Sequence, residues 1–458
     1  MNRIAKRSWF TVVLSGMLIV GLLGILVRYT LHAEQWAAFS RSPYIYHTGG
    51  TPGGGQVLDR DGEMLLNLEN GRAYADSETV RRSMLHLLGD SNGYINSAIL
   101  NEYGDELMGY DRFNGTYHVG ESTGRIRLTL SADVQAAALS AMGGRKGTVG
   151  VYNYQTGEVL CMVSAPTFDP EDQPDNATVE SSSDYDGVYV NRFLYSTYSP
   201  GSVFKLVTAA AALETIPNVE NRTFTCYGTY DLAGEVVICN GVHGELDLEG
   251  AIAHSCNVTF AQLSEELGAG TLTEYAKKIG VTDSLQFDGI STKKGQFDLS
   301  NAGAFETAWG AIGQYTDQIN PCQYMTYMGA IANGGKAALP HVVDSVTYGS
   351  STKYSASTSS TGRLIDADTA DTLAEMMHTA VVRTYGEWNF AGLYCGAKTG
   401  TAERSDGLEA DALMVGFSMD ESYPLAFVVV IEGGGSGSGA CAPVVSAVLN
   451  ACVAELSR

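Results

Sequence analysis

The apolar positions of this chain fall into three patterns. Trp9 to Val27 is a nearly unbroken apolar run without a charge, close to the ~20 residues a helix needs to cross a bilayer. Helical spacing dominates the interior. It predicts helices over Arg72 to Gly109 (Met84, Leu87, Leu88, Ile95, Ile99, Leu107), Leu128 to Met142, the Ala-rich Val203 to Glu214, both sides of Ser255 between Leu246 and Leu267, Pro321 to Asn333, and Pro443 to Leu456. Short strand patterns sit towards the two ends. Gly147 to Ser164 reads as a hairpin, turning at Gln155-Thr156-Gly157, while Ala412 to Ser418 and Leu425 to Ile431 are β-rich and apolar. Strands at both ends with helices between them suit one α+β domain, whose sheet joins early and late strands around a helical insertion.

The flanks of the first run orient it. Arg3, Lys6 and Arg7 precede it, which keeps the N-terminus in the cytoplasm. No A-x-A-like cleavage site follows, since Arg28 and Tyr29 come next. The expectation is an uncleaved single-pass anchor with the chain after about Leu31 exported. Three parts follow: residues 1–33 as cytoplasmic tip and anchor, 34–124 as a small mixed domain, and 125–458 as the body.

Composition narrows the class. Of 458 residues, 45% are apolar and 17% charged, with 53 glycines, as in a globular protein with many turns. The net charge of −23 excludes nucleic acid as the expected partner. The eight cysteines show no C-x-x-C pair and no histidine at zinc-ligand spacing, so no structural zinc is expected. Scattered cysteines suit buried small hydrophobes. Cys226 and Cys239 flank a short Gly-containing segment and leave a disulfide open, because spacing does not fix connectivity.

Three motifs carry candidate chemistry. The first is Ser202-Val203-Phe204-Lys205. The same S-x-x-K spacing recurs at Ser291/Lys294 and Ser350/Lys353, so context must separate them. Pro200-Gly201 signals a turn and an apolar helix follows, so Ser202 sits where free N–H groups and the helix dipole favour negative charge. Lys205 shares its face, and a desolvated lysine near another cation can act as a base. The second is Ser255-Cys256-Asn257, whose hydroxyl can relay a proton and whose amide can bind a carbonyl. The third is Lys398-Thr399-Gly400, followed by Thr401, at the start of the C-terminal β region. A strand there can take an extended peptide by strand addition. Lys398 can hold a carboxylate or polarise Ser255, Gly400 allows close backbone approach, and the Thr401 and Ser202 N–H groups can pair as an oxyanion hole. Singly, each has a bland reading as a cap, a turn or an exposed strand. Together and in this order they match the set found in penicillin-binding proteins and class A β-lactamases.

The chain resembles the monofunctional class B penicillin-binding proteins. Asn191-Arg192 ahead of Tyr198 to Lys205, Gly147-Thr148-Val149 through Ala165 to Pro170, His243-Gly244, Gly313-Gln314, Ile331 to Gly335 and Lys398 to Glu403 are all similar to family stretches. Two departures stand out: Gly54-Gly55 occupy the place of the family's Arg-Gly, and Tyr315 follows Gly313-Gln314 where the family continues with Gly. The resemblance implies an antiparallel sheet flanked by helices plus an all-helical subdomain, behind a transmembrane helix and a small N-terminal pedestal. It implies D,D-transpeptidation: Lys205 deprotonates Ser202, which attacks D-Ala-D-Ala of a peptidoglycan stem peptide, D-Ala leaves with help from Ser255, and a neighbouring amine takes the acyl group. It further implies acylation by β-lactams, a membrane SEDS-type glycosyltransferase partner, a bacterial cell-membrane location, and no metal or organic cofactor. A D,D-carboxypeptidase, a β-lactamase and a β-lactam sensor are the rivals. No E-x-x-L-N segment lies between Ser255 and Lys398 to favour a β-lactamase, and about eight residues ahead of the anchor leave no room for a signalling domain.

Overall fold

The computed structural model describes residues 2–37, 54–69, 71–111, 116–117, 123–232, 234–403 and 409–458. Of residues 40–62, a stretch rich in Gly, Pro and turn formers, 40–53 lie outside them. A helix spans Asn2–Ala37. Its apolar stretch Arg7–Leu31, 25 residues with none buried, is about 38 Å long at 1.5 Å per residue and exceeds a bilayer core of ~30 Å.

The body is built on a five-stranded antiparallel sheet in the order Cys395–Ala402, Asp411–Ser418, Leu425–Ile431, Gly147–Asn153, Val159–Ala165. Early and late strands meet directly, with Val428 opposite Gly150 and Val430 opposite Thr148. Leu425–Ile431 and Val159–Ala165 are buried at every position, because both faces are covered. Alternate residues feed two cores. Val149, Val151, Phe427 and Val429 join Val134, Val444 and Leu449 of helices Ala132–Met142 and Gly437–Leu456. Val428, Val430, Leu413 and Val415 join Tyr324, Met325 and Met328 of helix Pro321–Ala332. A strand buried on both faces reads as a continuous apolar run. Behind that second face lies a helical layer of Lys205–Thr215, Asn257–Lys278, Ala304–Ala311 and Pro321–Ala332.

A six-stranded sheet stands beside the body, ordered Ser351–Ser355, Val343–Tyr348, Gly124–Leu128, Gln56–Leu58, Met64–Asn67, Ala73–Tyr74. Gln56–Leu58 and Gly124–Leu128 are parallel, and the other pairs are antiparallel. It draws on three distant parts of the chain.

Three of the predicted helical stretches are broken or shortened. Arg72 to Gly109 forms two helices, Glu78–Leu88 and Ala98–Leu107. Between them Gly89 takes φ 79°, and Asp90 accepts from Ile95 N at 2.6 Å and Asn92 N at 3.1 Å. The helix expected from Leu128 starts at Ala132, capped by Ser131, since Gly124–Leu128 is a strand. Leu248–Ala253 and Asn257–Lys278 are separated at Ser255, which takes φ 54°. All eight cysteines are free thiols, so the disulfide left open between Cys226 and Cys239 is not formed.

Candidate active site

Pro200-Gly201 turns the chain into one 3-10 turn, Gly201–Phe204, which runs into the helix Lys205–Thr215. Tertiary bonds fix this turn. Tyr324 OH donates to Val203 O at 2.8 Å, Tyr327 OH to Leu206 O at 3.2 Å, and Thr208 Oγ1 to Ala311 O at 2.7 Å. Upstream, Asn191 caps Leu194, while Arg192 Nε and Tyr198 OH both donate to Glu432 Oε1, at 2.7 and 2.9 Å. The lead into Ser202 is thereby tied to the end of the sheet strand Leu425–Ile431.

The turn lies against the sheet edge at glycines. Gly201 adopts φ 52°, and a Cβ there would meet Thr401 O at 2.6 Å. A Cβ on Gly313 would meet Gly201 O at 2.0 Å, and one on Gly400 would meet Pro200 O at 2.5 Å. Three backbones approach where only glycine fits. Tyr315, where the resemblance expects glycine, takes φ 71° and is 47% exposed.

The polar centre is compact. Lys205, fully buried, has its Nζ 3.1 Å from Ser202 Oγ, 3.1 Å from Ser255 Oγ, 2.7 Å from Ser255 O and 2.7 Å from Asn257 Oδ1. Lys398, also fully buried, reaches Ser255 Oγ and Thr399 O, both at 3.0 Å. Burial, then the nearby Lys398 charge, push the Lys205 amine well below the ordinary lysine range. Burial alone brings Lys398 down to about 7. A neutral amine has two N–H donors and one lone pair. Here the two short contacts, to Ser255 O and Asn257 Oδ1, take the donors and leave the lone pair for a hydroxyl. The arrangement can therefore accept the Ser202 proton. Asn257 is held for this by its Nδ2, which donates to Ile238 O at 2.9 Å.

Cys395–Ala402 is the edge strand of the sheet. Its Thr399 N donates away from the sheet to Tyr385 OH at 3.2 Å, so the Thr401 N–H, two residues on, faces the same open side. An open edge beside Ser202 can seat an extended peptide. Ser202, Ser255, Asn257, Thr399 and Thr401 line one cleft of about 560 Å³, with Lys205, Lys398 and Gly400 directly beneath it. Val236 to Asn240, Trp309, Ile312, Gln314 and Glu403 complete its walls. Tyr385, Trp309 and the Val236–Asn240 wall carry no motif, and their sequence neighbourhoods gave no signal of a role. The other S-x-x-K pairs lie away from this cleft, Ser291 in a two-residue strand and Ser350 between the strands of an exposed hairpin.

A cleft-lining serine backed by a buried lysine, beside the edge strand of a helix-flanked antiparallel sheet, defines a protein built for acyl transfer through serine. The comparisons then name the family. The penicillin binding protein transpeptidase domain matches residues 147–450, and the chain belongs to that family. Peptidoglycan D,D-transpeptidase PbpA of Mycolicibacterium smegmatis is 28% identical over 78% of each chain. Stage V sporulation protein D of Bacillus subtilis is 32% identical over 66% of this chain and 48% of its own length. Among solved structures, the D,D-transpeptidase domain of a peptidoglycan glycosyltransferase from Eggerthella lenta is 28% identical with TM-score 0.74, covering 88% of this chain and 98% of that one. PBPA from Mycobacterium tuberculosis shares the fold at TM-score 0.76 and 23% identity, covering 88% and 99%.

Proposed function

We propose that this protein is a peptidoglycan D,D-transpeptidase that cross-links stem peptides through a Ser202 acyl-enzyme and is acylated there by β-lactams. The observation that carries the reading is Lys205 Nζ, fully buried and 3.1 Å from Ser202 Oγ, with its donors engaged by carbonyl oxygens. Lys205 takes the Ser202 proton as Oγ attacks the carbonyl of D-Ala-D-Ala. The Ser202 and Thr401 N–H groups hold the oxyanion. Ser255, bonded to both lysines, returns a proton to the departing D-Ala. Lys398 and Thr399 hold the substrate carboxylate, and Gly400 lets the peptide strand and the Ser202 turn share one edge. An amine of a second stem peptide then attacks the ester and frees Ser202.

The wider setting belongs to the same reading. Residues 1–33 anchor the chain in the bacterial cell membrane with the N-terminus inside, 34–124 form a pedestal, and 125–458 work outside the cytoplasm beside a SEDS-type glycosyltransferase. The apolar helix Arg7–Leu31 and the basic residues before it support this topology.

Incubation of the chain with a labelled β-lactam tests the chemistry. Stable label on Ser202, lost in Ser202→Ala, is expected; label elsewhere overturns the assignment. Rapid hydrolysis of the label would make the protein a β-lactamase. Supplying a stem peptide with and without an acceptor amine separates cross-linking from simple release of D-Ala.

A further inference from the structure

One cluster of soft ligands plays no part in acyl transfer. Cys226 ends the strand Phe224–Cys226, Cys239 directly follows Glu235–Ile238, His243 precedes Gly244–Leu246, and Cys256 caps the helix Asn257–Lys278. Their ligand atoms all lie within 4.8 Å of one another. Cys239 Sγ is 3.8 Å from Cys256 Sγ and 3.6 Å from His243 Nδ1. Ligand atoms of a tetrahedral zinc, with Zn–S near 2.3 Å and Zn–N near 2.1 Å, stand about 3.5–3.8 Å apart. The two edges that meet at Cys239 thus already have the lengths of a metal site, and the remaining edges lie within 4.8 Å, a small contraction away. We infer that Cys226, Cys239, His243 and Cys256 bind one zinc-class divalent cation, which staples the Val236–Asn240 wall of the cleft to the Ser255-Cys256-Asn257 motif.

The donor set selects the ion. Three sulfurs and an imidazole suit zinc and reject magnesium or calcium, which take oxygen. Four protein ligands close the coordination sphere, so the site is structural. Donors stand ready for thiolates: Asn257 N–H points to Cys239 Sγ at 3.2 Å, and Thr259 N and Oγ1 point to Cys256 Sγ, both at 3.4 Å. Such outer contacts orient ligands in metal sites. Cys226 and Cys256 are fully buried.

The consequence reaches the chemistry. Ser255 and Asn257, which hold Lys205 Nζ, flank Cys256 in the chain. Across the cage, Asn257 Nδ2 donates to Ile238 O at 2.9 Å and Asn240 Nδ2 to His254 O at 3.3 Å. A cation bound by Cys239 and Cys256 locks these contacts, so the ligands act as positioning residues. This coupling rests on the Ser202 reading; the metal site itself does not.

The full-length chain, purified in detergent under reducing conditions from zinc-supplemented cells, should carry near-stoichiometric zinc by mass spectrometry. Cobalt in its place should give thiolate-to-cobalt charge-transfer and tetrahedral d–d bands. Cys226→Ser and His243→Ala should each lose the metal. Stripping zinc from the unaltered chain should lower its melting temperature and slow β-lactam acylation at least several-fold, with both restored by added zinc. A chain without zinc, unchanged zinc in both variants, or a Cys239–Cys256 disulfide in the isolated protein would overturn the site. Zinc loss that leaves the acylation rate unmoved would overturn the staple.

Discussion

Lys205 and Lys398 approach the same oxygen, Ser255 Oγ, at 3.1 and 3.0 Å beneath the cleft. Two buried ammonium groups sharing one hydroxyl cannot both keep their charge cheaply. The pair divides the labour: Lys205 is pushed well below the ordinary range, and Lys398 only to about 7.

That division sets a pH profile. Lys205 must be neutral to accept a proton, so acylation is supported above its lowered pKa and lost as pH falls through it. Lys398 must be charged to hold a carboxylate, so kcat/KM for carboxylate-bearing β-lactams should decline as pH rises through about 7. An acylating agent without a carboxylate should keep the acid limb and lose the alkaline one. Stopped-flow acylation across pH reads both limbs; an alkaline limb shared by both agents would contradict the role of Lys398.

Ser255→Ala removes the oxygen both lysines share. Acylation should fall by about 10²–10⁴-fold, the usual range for a lost proton relay. Stability should drop by about 1–3 kcal/mol, because two buried amines lose an acceptor. Ser255→Gly keeps the left-handed backbone without strain, so it should recover part of the stability and none of the rate. Denaturant melts beside acylation kinetics separate the two effects.

Gly313→Ala tests the three-backbone contact under Ser202. Its Cβ would sit 2.0 Å from Gly201 O at φ 84°. The turn must shift, and a loss of about 1–3 kcal/mol in stability is expected. Acylation should fall disproportionately, since the displaced carbonyl belongs to the residue preceding Ser202. Gly334→Ala, with φ 60° but no atom within 4 Å of its Cβ, is the control for backbone strain alone.

Tyr385 lies outside every motif, yet its hydroxyl contacts Thr399 N and Oγ1, both at 3.2 Å. Tyr385→Phe should cost about 1 kcal/mol, or ~5-fold in acylation kcat/KM. The loss should appear in KM rather than kcat, because the role proposed for Thr399 is to bind the substrate and not to react with it.

Much of this architecture is legible in the sequence. Five strands and the helices between them announce themselves because burial on both faces makes long apolar runs of Val159–Ala165 and Leu425–Ile431. Ser202 and Lys205 stand one turn apart, a local relation that spacing conveys. What spacing cannot convey is contact between distant elements. Tyr385 reaches Thr399 only through the tertiary fold. The cysteine–histidine cage comes from four elements at C-x12-C-x3-H-x12-C spacing, outside familiar zinc patterns, and so looked like scattered hydrophobes. The break between Glu78–Leu88 and Ala98–Leu107 was hidden for a different reason: helical periodicity continues across it, while the Asp90 carboxylate captures the backbone donors that a helix would need.

The six-stranded sheet also fixes an order of events. Chains are made from the N-terminus, so Gln56–Leu58 emerges early and finds its parallel neighbour Gly124–Leu128 soon after. The far side of that neighbour stays bare until Val343–Tyr348 arrives, by which time the Ser202 and Ser255 segments have already been made. The small sheet therefore cannot finish before most of the catalytic body exists. Assembly of this sheet reports on completion of the body beside it, and a chain truncated ahead of Val343 would present an unpaired strand edge to whatever recognises unfinished proteins.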